Sequence, residues 1–353
     1  MDFRFTDEQQ MMAESVRALL ADLCRPEDLR RLAASDAARD AARWDAIVGL
    51  GLQGALVPEA RGGLGLGAAD FVLIAEACGY ACLPEPLVEN ASVALPLLAA
   101  LARDERASAI LDRALAGEIT VALAHPANPF AADADTAGAL LAARGDDVFL
   151  CDAADLALER QESIDPFRRL FSIASRPCVS MAIADAAEAR GALDAALDRG
   201  ATFAAAQLVG IAQRAVDLAV AYAKERQQFG KPIGSYQAVK HLLATAQVRI
   251  EFARPVVYAA AAQLAQGDVF SRARVSHARL AAAEAADLAC RTAVQVHGAM
   301  GYSWEVDVHF FLKRALALSS WWGDAVFHRR RVAERAFGRP LGPDTTFAAE
   351  ARG

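Results

Sequence analysis

The groups in this chain best suited to gripping a nucleotide lie in Glu225-Arg-Gln-Gln-Phe-Gly-Lys-Pro-Ile-Gly-Ser-Tyr-Gln237. Arg226 and Phe229 close a long helical pattern, where Gly230 and Pro232 turn the chain. A guanidinium holds pyrophosphate oxygens through two directed hydrogen bonds, and an aromatic ring packs against a flat cofactor. Gln237 opens the next helical pattern, near a positive dipole end. A second segment, Gln295-Val-His-Gly-Ala-Met-Gly-Tyr302, follows another long helical pattern. Small residues there let backbone approach a ligand, and Gln295 can bond adenosine or ribityl groups. The plainer alternatives are a surface Arg with a core Phe at a helix hairpin, and a helix C-cap at Gly298.

Other chemistry-bearing residues form no site. His297 and His309 lack an i, i+4 partner and a carboxylate to complete a metal set, so they read as packed or solvated. The six cysteines (24, 78, 82, 151, 178 and 290) show no zinc spacing; Cys78 and Cys82 read as small buried hydrophobes. Gly49-Leu-Gly-Leu-Gln-Gly54 spells a dinucleotide fingerprint, but a helix precedes it where a strand is required. The run Arg329–Arg331 beside Glu334 reads as a solvated helix face.

The elements that must position these groups are mainly helical. The 353 residues suffice for two or three domains, and an Ala- and Leu-rich composition with 7% aromatics favours helix. A net charge of −7 argues against a nucleic-acid partner, whose affinity rests on phosphate neutralisation. The start has no basic region followed by an apolar one, and no uncharged apolar run reaches the ~20 residues that span a bilayer, so a soluble cytoplasmic protein without membrane insertion is expected. Helical patterns at 7–21, 26–34, 37–50, 67–80, 87–103 and 106–116 build an N-terminal helical domain over 1–117. Short apolar runs at 119–124, 139–143, 147–152, 170–174 and 178–184 predict strands of a reduced β-domain over 118–199. Long patterns at 201–227, 235–266, 270–298 and 306–336 predict a C-terminal four-helix bundle over 200–353.

Together, the two glutamine-bearing segments and this helix–β–helix order resemble the acyl-CoA dehydrogenase family, flavoenzymes that desaturate acyl-CoA thioesters. The resemblance covers nearly the whole chain; Gly54-Ala-Leu-Val-Pro-Glu-Ala-Arg-Gly-Gly-Leu-Gly65 is similar to the family's loop before its fourth helix. It implies a flavin-adenine dinucleotide (FAD) shared across a subunit interface. In the family, the equivalents of Arg226, Gln228, Phe229, Gln237, Gln295, Gly298 and Ala299 approach the ADP half of a FAD whose flavin ring sits mainly in the neighbouring subunit. Where the family has two glycines, this chain has Gly298-Ala299.

The resemblance also exposes a deficit. The family's reaction needs a carboxylate, its pKa raised by a dry pocket, to take the α-proton while hydride moves to the flavin. That Glu lies in a Tyr-Glu-Gly-Thr-like segment; here the matching residues are Trp321-Trp322-Gly323-Asp324, with Trp322 in the base position. Other members place it at the start of the first bundle helix, matched by about Gly200 in Asp198-Arg-Gly-Ala201. The flavin-contacting Thr-Glu-Pro strand is replaced by Ala124-His-Pro-Ala-Asn-Pro-Phe130, and the Trp-Ile-Thr strand has no counterpart.

This implies a subunit with no catalytic residue of its own, which reaches acyl-CoA only through an assembled complex. Such a subunit would pair with a full-length paralogue, as in the α2β2 assemblies the family uses for steroid side-chain acyl-CoAs. The alternatives are a self-sufficient homo-oligomeric enzyme with a relocated base, Asp198 or Asp324, and a helical scaffold that binds no flavin.

Overall fold

The computed structural model describes residues 4–35, 39–144, 147–174, 182–267 and 269–338. The N-terminal part is helical: α1 (Asp7–Leu23), α2 (Pro26–Ala33), α3 (Ala41–Val48) and α4 (Ala68–Tyr80) lead to α5 (Leu87–Glu89) and α6 (Leu95–Leu101), joined by one π-turn, and to α7 (Glu105–Leu115). Thr6 caps α1 in a full capping box with Gln9, and Asp104 caps α7 through the Ala107 amide. Gly49–Gly54 is the end of α3 and a 3-10 turn, with no strand before it.

The middle part holds two small sheets. β1 (Val121–Ala124), β2 (Ala131–Ala132), β3 (Ala139–Arg144), β4 (Asp147–Asp152), β5 (Leu158–Gln161), β6 (Leu170–Ile173) and β7 (Ala182–Ala184) pair in the orders β1-β3-β4-β7 and β2-β6-β5. β1 and β3 are parallel, Val121 opposite Ala139; the remaining pairs are antiparallel. The expected run 178–184 meets β7 only at its end; Cys178 lies outside the described residues.

The bundle differs from the expectation at both ends. Its first helix, α8 (Ala186–Glu225), is 40 residues long and starts well before 201. The hairpin β8 (Gln227–Gln228) and β9 (Lys231–Pro232) links it to α9 (Gln237–Gln263), followed by α10 (Val269–His297). The expected helix over 306–336 is two helices, α11 (Val308–Ser319) and α12 (Ala325–Gly338), broken where Trp322 and Gly323 take φ of 61° and 96°. Left-handed backbone cannot continue an α-helix.

α8 is apolar and long enough to cross a membrane by composition alone, but 72% of its most apolar window is buried in the fold. It is the central core helix. Ala204, Ala205, Ala212, Ala215 and Ala219 are fully covered, and small side chains bring neighbouring helix axes close. The contact with α4 is backbone to backbone. A Cβ at Gly79 would meet the Gln207 carbonyl at 2.1 Å, and one at Gly210 would meet the Glu76 carbonyl at 2.0 Å.

Candidate functional site

The first predicted segment forms a projecting hairpin. Arg226 N–H bonds the Tyr222 carbonyl at 2.8 Å, and the Arg226 carbonyl accepts from Ile233 N–H at 2.8 Å. The two turn residues, Phe229 and Gly230, have φ of 55° and 81°, the double left-handed geometry of a tight hairpin. Glycine adopts it freely; phenylalanine does so at a cost. The Phe229 ring is 92% exposed, so it is not a core residue. Tyr236 stiffens the turn: its hydroxyl donates to the Gln228 carbonyl at 3.1 Å, and Lys231 Nζ sits 4.3 Å from its ring centroid.

The second segment lies beside the first. The His297 ring, at the end of α10, stacks on Tyr222 with centroids 4.3 Å apart, one helical turn before Arg226. Burial lowers the His297 pKa, and its Nδ1 is bonded to the Ala293 carbonyl at 2.7 Å, so this histidine is structural. Gly298 then turns the chain at φ 63° with open space where a Cβ would stand. Ala299 is exposed and keeps a negative φ, so its methyl group is accommodated. Arg226, Gln228, Gln237 and Gln295 are all exposed. Their side chains make no hydrogen bond or ion pair among the described residues. An exposed guanidinium, three exposed amides and a bare aromatic ring are groups able to hold a nucleotide.

The region around Trp322, which the sequence resemblance matches to the family's base position, is filled. Trp322 is 1% exposed, with its N–H donating to Asn128 Oδ1 at 2.7 Å. Its indole Nε1–H donates to both Glu89 oxygens at 3.0 and 3.1 Å, and Trp321 Nε1–H donates to Glu89 Oε1 at 3.0 Å. Burial pushes the Glu89 carboxyl above its ordinary range, opposed by the Arg168 charge and the two indoles. Arg168 lies 4.1 Å from the Trp321 ring centroid. His125 packs 5.3 Å from the Trp322 ring. Its Nε2–H bonds the Leu193 carbonyl and its Nδ1 accepts from Ala127 N–H, a neutral tautomer that burial favours. Glu89 lines two cavities of about 20 and 50 Å³. Neither of these two cavities is large enough for an isoalloxazine or an acyl chain.

Neither candidate base reaches this region. Asp198 is buried and held by Arg331 Nη2 at 2.7 Å and Arg272 Nε at 3.5 Å. Asp324 is exposed and caps α12 by accepting from Phe327 N–H at 2.8 Å. Arg331 therefore points inward, against the expected solvated face. Arg329 remains exposed, 4.0 Å from Glu284. His309 is packed against Trp304 and Phe310, and burial takes its pKa down to about 4. Among the described residues no cluster of His, Cys, Asp and Glu could hold a metal.

Sequence reasoning missed Glu89 and Arg168. Two adjacent tryptophans needing acceptors for their N–H groups, and a glutamate between Val88 and Asn90 in an otherwise apolar helix, were the available signals. A second acid–base layer surrounds them: Arg314 bonds Asp165 and the Leu83 carbonyl, Arg39 bonds Asp133, and Arg43 meets Glu85 at 2.8 Å.

Comparison with known proteins follows the same outline. Residues 6–118 match the acyl-CoA dehydrogenase N-terminal domain, and residues 181–337 match the acyl-CoA dehydrogenase C-terminal domain. The acyl-CoA dehydrogenase IpdE2 of Mycobacterium tuberculosis is 33% identical over 314 residues, 88% of this chain and 91% of that protein. In fold, the chain is similar to a chain of the ChsE4-ChsE5 complex from Mycobacterium tuberculosis. The TM-score is 0.84 at 23% identity, covering 97% of this chain and 100% of that one. It is also similar to the Tcur3481-Tcur3483 steroid acyl-CoA dehydrogenase variant, with a TM-score of 0.81 at 24% identity, covering 94% and 98%. With helical and bundle domains both matched, and a third of the residues shared along almost the full length of a relative, the chain belongs to the acyl-CoA dehydrogenase family of flavoprotein oxidoreductases.

Proposed function

We propose that this chain is the half-site subunit of a heteromeric acyl-CoA dehydrogenase. It presents Arg226, Gln228, Phe229, Gln237, Gln295, Gly298 and Ala299 to the ADP end of a FAD whose flavin ring is held by a full-length partner. The partner supplies the ring pocket, the catalytic carboxylate and the acyl site. The observation that carries this reading is the Trp321–Trp322–Glu89 constellation. It closes the region where the family's reaction runs, while the ADP-facing surface stays open and its polar side chains unpartnered.

The fold neighbours that are named as two-component complexes support a heteromer, and the steroid enzyme among them makes a steroid side-chain acyl-CoA one candidate substrate beside a fatty acyl-CoA. Leu242, Val248 and Phe252 on α9 are exposed and supply apolar surface for a partner subunit. The free cysteines Cys78, Cys82, Cys151 and Cys290 are buried, in keeping with a reducing cytoplasm. A self-sufficient homo-oligomer is disfavoured because Asp198 and Asp324 are both engaged elsewhere.

The test is purification of the chain alone and co-purified with a full-length family member, followed by flavin absorbance and acyl-CoA turnover. The half-site reading expects a colourless, inactive isolated chain and a yellow, active complex. Stoichiometric flavin with turnover on the chain alone overturns it.

A further inference from the structure

An open cavity of about 620 Å³ lies where α1, α2, α4, α8, α9 and α11 meet, sharing no lining residue with the Trp322 region or the ADP-facing surface. Its floor is apolar: Leu20, Leu29, Ala77, Leu218 and Phe311. Its rim is charged, and the charges do not cancel. Glu76 is already used, Oε1 accepting from Arg254 Nε at 3.2 Å and Oε2 from the Tyr258 hydroxyl at 2.6 Å. Asp307 is gripped on both oxygens by Arg30, at 2.6 and 2.9 Å.

Two guanidinium groups on this rim make no ion pair among the described residues, although the Tyr80 hydroxyl beside Arg214 donates to Asp217 Oδ2 at 2.8 Å. Arg214 lies 5.2 Å from the Tyr80 ring centroid and donates only a long hydrogen bond, 3.4 Å, to the Tyr80 hydroxyl. Arg17, on α1, makes no hydrogen bond or ion pair among the described residues. A concave apolar floor of this volume suits a small molecule, and forked cations at its mouth suit a carboxylate.

We propose that this cavity binds an amphipathic carboxylate, its apolar body on the Leu20–Leu218–Phe311 floor and its head group at Arg214 and Arg17. The site joins the N-terminal helices to the bundle, so occupancy stabilises their docking by mass action. It does not depend on the half-site reading, because none of its residues belongs to the flavin or reaction regions.

Calorimetric titration of the full chain, alone or in its complex, with decanoate and with decan-1-ol tests the proposal. The expected result is one decanoate per chain, the alcohol binding at least roughly tenfold more weakly for want of a charge-assisted contact. Arg214→Ala is expected to weaken decanoate by a similar factor. Ala21→Trp, at an exposed position lining the cavity, is expected to abolish binding while the melting temperature is retained. Absence of saturable binding, equal affinity for the alcohol, or decanoate binding that survives Ala21→Trp would overturn it.

Discussion

The Trp322 indole is seated on Gly200. A Cβ at Gly200 would lie 2.3 Å from Trp322 Cδ2 and 2.4 Å from Cε2, so only glycine leaves room for the ring. The sequence resemblance matches Trp322, and about Gly200, to the two places where members of the family carry their catalytic carboxylate. Here they are in contact, and neither bears an acid.

Trp322→Ala is expected to cost about 3–5 kcal/mol of stability, the range for emptying a large buried aromatic site, and to create no turnover. Trp322→Glu is expected to be inactive as well, because the ring region would still be occupied by Trp321, Arg168 and His125. Urea unfolding and an acyl-CoA assay on each isolated variant check this; dehydrogenation by the isolated Trp322→Glu chain would contradict it.

Arg226→Ala should weaken FAD retention by the assembled enzyme about ten- to hundredfold, the loss of one charge-assisted contact worth ~1.5–3 kcal/mol. Its side chain is exposed and unpartnered, so the melting temperature of the chain should not move. Flavin retained on dilution as well as in wild type would show that this arginine does not face the cofactor.

Asp198→Asn is expected to separate stability from catalysis. It leaves Arg331 and Arg272 without their shared carboxylate and should destabilise by about 1–3 kcal/mol. Turnover of the assembled enzyme should stay within a fewfold of wild type, as should that of Asp324→Asn. A general base would instead cost ~10²–10⁴ in rate.

Acid should destabilise the turn that carries Trp322. Burial, reinforced by the Arg279 charge, takes the His328 pKa down to about 4 from 6.5. The neutral ring bonds the Trp322 carbonyl through Nε2 and Ser276 through Nδ1, both at 3.0 Å. Because the folded-state pKa is depressed, this stability is complete above pH 6.5 and is lost as pH falls toward 4, by ~2 kcal/mol at pH 5. His328→Gln should flatten the pH dependence of the melting temperature between 7 and 5; an unchanged slope would remove His328 from this role.

The long elements were legible because their signal is local. Helical periodicity in 67–80 or 235–266 states both the element and its buried face, and α4 and α9 follow those bounds closely. What was not legible depends on distant partners. The bundle's first helix begins at Ala186; Ala186–Asp198 is rich in helix formers, but the expected β-domain boundary at 199 places it outside the bundle, and the packing of Ala189 and Ala196 joins it to α8. The break between α11 and α12 was hidden because Trp321 and Trp322 are acceptable helix residues, and only their bonds to Glu89, more than 200 residues earlier, fix the turn. For the site, the residues proposed to face the ADP were visible as two local motifs, 225–237 and 295–302. The plug in the reaction region was readable only as missing motifs, since Glu89, Asn128, Arg168 and Trp322 come from four separate elements.

The count of FAD released from the purified assembled enzyme, set against the number of chains, tests the central claim most directly. Each flavin needs one ring site and one ADP-facing surface, and this chain is taken to offer only the second. The account therefore predicts one FAD for each pair made of this chain and its partner; one FAD per chain, counting both kinds, would mean that this subunit holds a flavin ring of its own and would contradict it.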